Sequence, residues 1–350
     1  MAYTTIDKPS DYFNTKLYTG NGGTQSITGL DFQPDWCWLK ARAGANVSNH
    51  RSVDSVRSAT KELFQDATAA EETNTNGLTA FNSNGFSLGS SGGTNNSNTT
   101  YASWNWKAGT SFTNDASGTG IGTIDSTGSV NTDAGFSIIS YTGTGSVATI
   151  AHGLGVTPKF YLIKNRTNAR NWQSYHEPLG NQAYLRLNTT AAAATGAAIW
   201  NNTSPTSSVF SIGTSDFNAV NADGDNYIAY CFAEKQGYSK FGSYVGNGNA
   251  DGTFIYTGFS PAFFMLKRTD GTNSWRMWDN KRDPFNVRDT SLNANETDAE
   301  YTDASVYMDF VSNGVKFRTT GDNTSGGNYI FMCFAENPFV TSTGVPACAR

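Results

Sequence analysis

Three stretches set aromatic and charged side chains at matching spacings. Trp275-Arg-Met-Trp278-Asp279 is followed by Arg282, and Trp172-Gln-Ser-Tyr175-His176 by Leu179. His50-Arg-Ser-Val53-Asp54 is followed by Arg57, so Asp54/Arg57 and Asp279/Arg282 share one spacing. Trp and Tyr faces can stack on the C–H surface of a pyranose, and Asp and Arg can bind its hydroxyls. On that reading a sugar platform is built from Trp172, Tyr175, His176, Trp275, Trp278, Asp279 and Arg282. The same residue types also serve as core: the aromatics fill a β-sandwich, and an Asp–Arg pair fixes a loop.

Catalytic and metal chemistry have no comparable pattern. The histidines are His50, His152 and His176. No His-Glu-x-x-His or Cys-x-x-Cys occurs. Asp223-Gly-Asp225-Asn226 resembles a fragment of a calcium loop but lacks the remaining ligands at the required spacing. Glu71-Glu72 and Asp298/Glu300 sit in polar stretches and read as solvated. The expectation is therefore a non-enzyme with no catalytic residues, metal site or cofactor. Cys37, Cys231, Cys333 and Cys348 read as small buried hydrophobes rather than a disulfide or metal set.

Composition narrows the class. Charged residues are 15% of the chain, well below the usual share of about 25%, and Gly, Asn, Ser and Thr fill the difference. Aromatics reach 13%, which points to an all-β protein rather than a disordered one. The net charge is -5 and no basic block exists, so nucleic acid is not an expected partner. The start is polar, without a secretory signal, and no apolar run is long enough for membrane insertion.

The elements that must position these residues are repeated. Tyr18-Thr-Gly20-Asn-Gly22 leads to Pro34 and Trp36-Cys-Trp-Leu39-Lys40. Tyr141-Thr-Gly143-Thr-Gly145 leads to Pro158 and Phe160-Tyr-Leu-Ile163-Lys164, and Tyr244-Val-Gly246-Asn-Gly248 to Pro261 and Phe263-Phe-Met-Leu266-Lys267. Tyr141/Tyr244, Lys164/Lys267 and Trp172/Trp275 keep a constant offset, which means duplication; the first copy is more diverged. A period of about 100 residues exceeds a solenoid repeat and suits a small sandwich. The fold expected is all-β: three tandem antiparallel β-sandwich modules of jelly-roll or lectin-like type. Residues 1–16 form an N-terminal arm and 17–107 module one. Residues 108–134 are a Gly/Ser/Thr linker, with one short strand near Ile121–Ile124. Modules two and three span 135–239 and 240–340, and 341–350 is a loose tail. Residues 49–65 suggest a short helix. Phe81-Asn-Ser-Asn84-Gly85-Phe86 suggests a hairpin.

Several stretches together resemble a known repeat family. They are Tyr12-Phe13-Asn-Thr-Lys-Leu-Tyr18-Thr-Gly20-Asn-Gly22, Asp54-Ser-Val-Arg57-Ser-Ala-Thr-Lys61-Glu-Leu63, Gly135-Phe136-Ser-Ile138-Ile139-Ser-Tyr141-Thr-Gly143, Gly237-Tyr238-Ser-Lys240-Phe241-Gly-Ser-Tyr244 and Cys333-Phe334-Ala335-Glu336-Asn337-Pro338-Phe339. The family occurs in tail-fibre-like or structural virion proteins of marine tailed bacteriophages, including cyanophages. Module one departs from it, ending Trp104-Asn-Trp106-Lys-Ala without Cys-Phe-Ala-Glu. The resemblance carries no assigned active residues. It implies a virion protein assembled in the host cytoplasm, with other virion proteins and further copies of itself, as a homotrimer, for partners. The role expected is a tail fibre or receptor-binding protein contacting host surface polysaccharide. The alternative is a capsid decoration, head fibre or tail component. Tyr12-Phe13 in the arm is the expected virion anchor.

Overall fold

Strand pairing follows the repeat. A computed structural model describes residues 2–214 and 217–347. In the first unit one sheet runs Phe13–Thr19, Thr100–Trp106, Trp36–Ala43, Arg51–Asp54, Lys61–Phe64, Glu72–Thr73. In the third the order is Ser239–Val245, Asn328–Pro338, Phe259–Arg268, Arg276–Asp279, Thr290–Asn293, Tyr301–Thr302. The second repeats it with Phe136–Thr142, Asn226–Phe232, Phe160–Asn165, Gln173–His176, Ala183–Arg186, Ala194–Thr195. Neighbouring strands are antiparallel throughout. A small sheet of two or three strands packs on the outer face of each large one, and aliphatic and aromatic side chains fill the space between.

The inner faces of the three large sheets meet. One continuous cluster takes Trp36, Trp104 and Trp106 from the first unit, Phe160, Trp172 and Phe232 from the second, and Phe263, Trp275 and Phe334 from the third. At its centre the equivalent residues Trp106, Phe232 and Phe334 form a triangle with ring centroids 6.3, 5.6 and 5.9 Å apart. A pseudo-threefold axis therefore runs through one chain. Both faces of each large sheet are buried, which is why the third strands read as near-continuous apolar runs and not as alternation.

Several expectations are corrected. Residues 49–65 hold two strands, Arg51–Asp54 and Lys61–Phe64, and no helix; Val53, Leu63 and Phe64 face packed surfaces and pair with neighbouring strands. The linker is structured. Thr110–Asn114 and Ser126–Asn131 form a hairpin that extends the second sheet to eight strands, while Ile124 makes one isolated bridge to Ile150. The arm folds back on its own chain: Thr4 donates to the Gln236 carbonyl, Tyr3 to that of Gly258, and Ile6 is buried. Phe13 lies in the core, stacked on Phe334 at 5.0 Å, so it is not free to dock on a neighbour. Residues 341–347 are tied down, with Ser342 bonded to Asp7 and the Ala347 amide to Phe339. Cys37, Cys231 and Cys333 are buried free thiols, as expected; Cys348 lies outside the described residues. The hairpin forms as Leu78–Asn82 and Gly85–Leu88.

Candidate functional site

The seven residues of the expected sugar platform are all buried. Two outline the joints between units. Trp172 donates from Nε1 to the Phe64 carbonyl of the first unit at 2.7 Å, and Trp275 to the Arg186 carbonyl of the second at 3.1 Å. His50 closes the ring: Trp38 donates to its Nδ1, so the proton sits on Nε2, which reaches the Asn293 carbonyl of the third unit at 3.0 Å. Tyr175 stacks on Tyr161 at 4.7 Å, and Trp278 packs beneath the third unit's small sheet. None presents a face to a ligand. The sugar-platform expectation gives way, for these residues, to a role in assembling the fold.

The repeated lysines belong to the same joints. Lys164 Nζ donates to the Thr68 carbonyl of the first unit, Lys267 to Thr190 of the second, and Lys40 to Thr297 of the third, at 2.9, 3.1 and 2.8 Å. Burial pulls their pKa values down from the ordinary lysine range, to about 7 for Lys164 and about 8 for Lys40 and Lys267.

Two joints carry a buried ion chain, and the third replaces the whole chain. Asp54 binds Arg57 at 2.6 Å, Arg57 reaches Glu71, and Glu71 meets Arg166 of the second unit; Tyr230 of that unit caps Asp54 at 2.6 Å. Asp279, Arg282, Glu300 and Arg42 repeat this between the third and first units, with Trp104 donating to Asp279 at 3.1 Å. Where the third unit meets the second, His176, Leu179, Ala193 and Thr269 take those places and Met332 the cap. His176 Nε2 is 3.0 Å from the Phe331 carbonyl. Burial lowers its pKa to about 4, so the ring is neutral and donates this bond.

The surface site lies where one unit departs from the other two. Asp54 and Lys61 are joined by six residues, as are His176 and Ala183, but Asp279 and Thr290 are joined by ten. The longer loop, Asp283-Pro-Phe285-Asn286-Val287-Arg288, walls a cleft of about 420 Å³ with Phe310, Ser260, Ser312 and Glu336. Asp283 closes the loop by accepting from the Asp289 amide at 2.9 Å. Asn286 clamps it to the small sheet, donating to the Phe310 carbonyl and accepting from its amide at 2.8 and 3.0 Å. Phe285 is 76% exposed. Arg288 is 6% exposed and lies over the Phe310 ring at 4.4 Å, and its Nε and Nη1 have no hydrogen-bond partner among the described residues. Burial lowers its pKa against the opposing charges of Asp283 and Glu336. The sequence signal was there as an insertion between equivalent strands, but strand ends must be known before it can be counted.

A family of proteins sharing a domain of unknown function (DUF7483) matches residues 8–338. The chain belongs to this family. The match covers all three units, the arm's 3-10 turn at Pro9–Asp11 included. No curated protein matches the chain.

Proposed function

We propose that this chain is a non-enzymatic attachment protein of a tailed-phage virion, which holds a glycan-binding surface on a rigid three-unit block. The observation that carries the reading is the third unit's insertion. Two units close the same connection with six residues, so the fold does not require the extra four. The loop is clamped in place and presents an exposed aromatic in the same cleft as a guanidinium whose Nε and Nη1 have no hydrogen-bond partner among the described residues. The resemblance of the repeats to tail-fibre-like virion proteins supplies the setting. Adsorption of the purified full chain to host cells, read by fluorescence labelling, tests it; no adsorption to any susceptible host rejects it.

A structural role on capsid or tail is the second reading, and the pseudo-threefold axis favours it, since such a block can seat on a threefold position. Cryo-EM of virions separates the two: density at the tail periphery supports attachment, and density on the capsid lattice supports decoration. The threefold symmetry is supplied within one chain, so neither reading needs a homotrimer. Mass photometry of the purified protein measures the stoichiometry.

A further inference from the structure

We propose that the third unit's cleft is a subsite for a neutral pyranose, with Phe285 stacking on the sugar's C–H face and Arg288 and Glu336 clamping two adjacent hydroxyls. The proposal rests on the attachment reading above and names the ligand class of that site.

The charges in the cleft select the class. Nε and Nη1 of Arg288 have no hydrogen-bond partner among the described residues, and both Arg288 and Glu336 line the cleft. Glu336 is close enough for its charge to act on Arg288, yet the two form no ion pair. The other carboxylates acting on Arg288 are engaged: Asp283 by backbone amides, Asp309 by Arg318 at 2.6 Å, and Asp279 by Arg282. Among the described residues the cleft therefore offers one cation and one carboxylate that form no ion pair. An anionic ligand would meet Glu336 and a cationic one Arg288. A hydroxyl both donates and accepts, so one of an adjacent pair can accept from Arg288 while the other donates to Glu336. Ser260 and Ser312 add hydroxyls to the same wall.

Shape and rigidity agree. A volume of about 420 Å³ lies toward the small end of ligand sites and suits one or two sugar rings. The loop that carries Phe285 does not need to be ordered on binding, because Asn286 and Asp283 fix it on either side. The stack of Arg288 on Phe310 holds the guanidinium in place before any ligand arrives.

Saturation-transfer NMR on the full chain tests the proposal, with methyl glucoside, mannoside and galactoside as neutral probes and galacturonate as the acidic one. Transfer from at least one neutral glycoside is expected, with binding about tenfold weaker in Phe285→Ala and in Glu336→Gln. Phe285 is on the surface, so its removal leaves the melting temperature unchanged and folding is not in question. No transfer from any neutral glycoside, transfer from galacturonate alone, or equal transfer with Phe285→Ala overturns the proposal. Host-cell adsorption is run on the same samples. Wild-type adsorption that Phe285→Ala retains rejects the subsite and leaves attachment standing; a wild-type chain that does not adsorb rejects attachment itself.

Discussion

Single residues at the joints work as buried donors, and their protonation follows from that. Lys40, Lys164 and Lys267 each place Nζ between two carbonyls, one of them in another unit. A neutral amine still carries two N–H groups, so loss of the proton keeps both bonds. Folded pKa values of about 7 to 8 lie below the unfolded value near 10.4. Between about pH 7 and pH 8.5 the unfolded chain therefore holds more protons than the folded one, and stability rises with pH across that window; above it the buried thiols of Cys37, Cys231 and Cys333, held above the ordinary range by burial, act in the opposite sense. Urea midpoints measured at pH 7 and pH 8.5 should increase by the equivalent of about 2–4 kcal/mol. A flat or falling midpoint would show that the lysines remain charged in the fold. Lys164→Met removes the titration while keeping the aliphatic stem, and its variant should show a shallower rise. The histidines act in the same sense at lower pH. His176 and His152 are held near 4, so stability is lost as pH falls from about 6.5 through 4.

Elements meet through sets of residues that change together. Breaking one member of a buried ion chain leaves an uncompensated charge and costs about 3–5 kcal/mol, whereas replacing the whole set is close to neutral. The joint between the second and third units is such a replacement, made within one sequence. Arg57→Leu should therefore destabilise the protein by roughly that amount. Asp54→His combined with Arg57→Leu copies the His176/Leu179 joint and should recover part of the loss in the same denaturation measurement. A double variant as unstable as the sum of the two single ones would refute this coupling. The Tyr-x-Gly-x-Gly motif is a second shared device. Tyr18, Tyr141 and Tyr244 stack on Tyr101, Tyr227 and Tyr329 and donate to the carbonyls of Thr94, Val220 and Asp322. A Cβ on Gly246 would stand 2.2 Å from the Thr324 carbonyl oxygen. Gly246→Ala should thus lower the thermal midpoint by several degrees, and an unchanged midpoint would mean that this backbone approach is not required. Much of this was legible in the sequence. Constant offsets between copies give the repeat, and Tyr, Gly and Lys mark the same points in each. What Trp172, His176 and Asp279 do was not legible. A strand buried on both faces shows no alternation to say which face meets another unit, and an inter-unit bond leaves no local spacing. The helix expected over residues 49–65 failed for the same reason: Val53, Leu63 and Phe64 are apolar because two sheet faces are packed, not because one helix face is, and Val56 lies in the turn between the strands.

At the scale of the whole molecule, the three units are one cooperative body. Each small sheet closes a cluster of its own, but the largest cluster belongs to all three units at once. Trp106, Phe232 and Phe334 pack on one another at the axis, and each joint passes a lysine, an aromatic or imidazole donor and a backbone bond to the next unit. The backbone bonds run from Glu71, Ala193 and Glu300 to Arg166, Thr269 and Arg42, so the circuit closes. A unit cut out alone would expose the inner face of its large sheet. For residues 240–340 that face includes Phe263, Met265, Trp275, Met332 and Phe334, a continuous apolar surface of the kind that drives aggregation in water. Residues 240–340 expressed alone should accordingly be insoluble or lack the near-ultraviolet circular dichroism of packed tryptophans. The full chain should unfold in a single transition, with calorimetric and van't Hoff enthalpies in agreement. Three separate transitions, or a folded monomeric fragment with its own sharp melt, would instead mean that the central cluster is a contact between independent domains. The same cooperativity bears on the cleft. A binding loop fixed to a body that opens only as a whole keeps its geometry up to global unfolding, so a saccharide bound there should raise the melting temperature of the entire chain and not of the third unit alone.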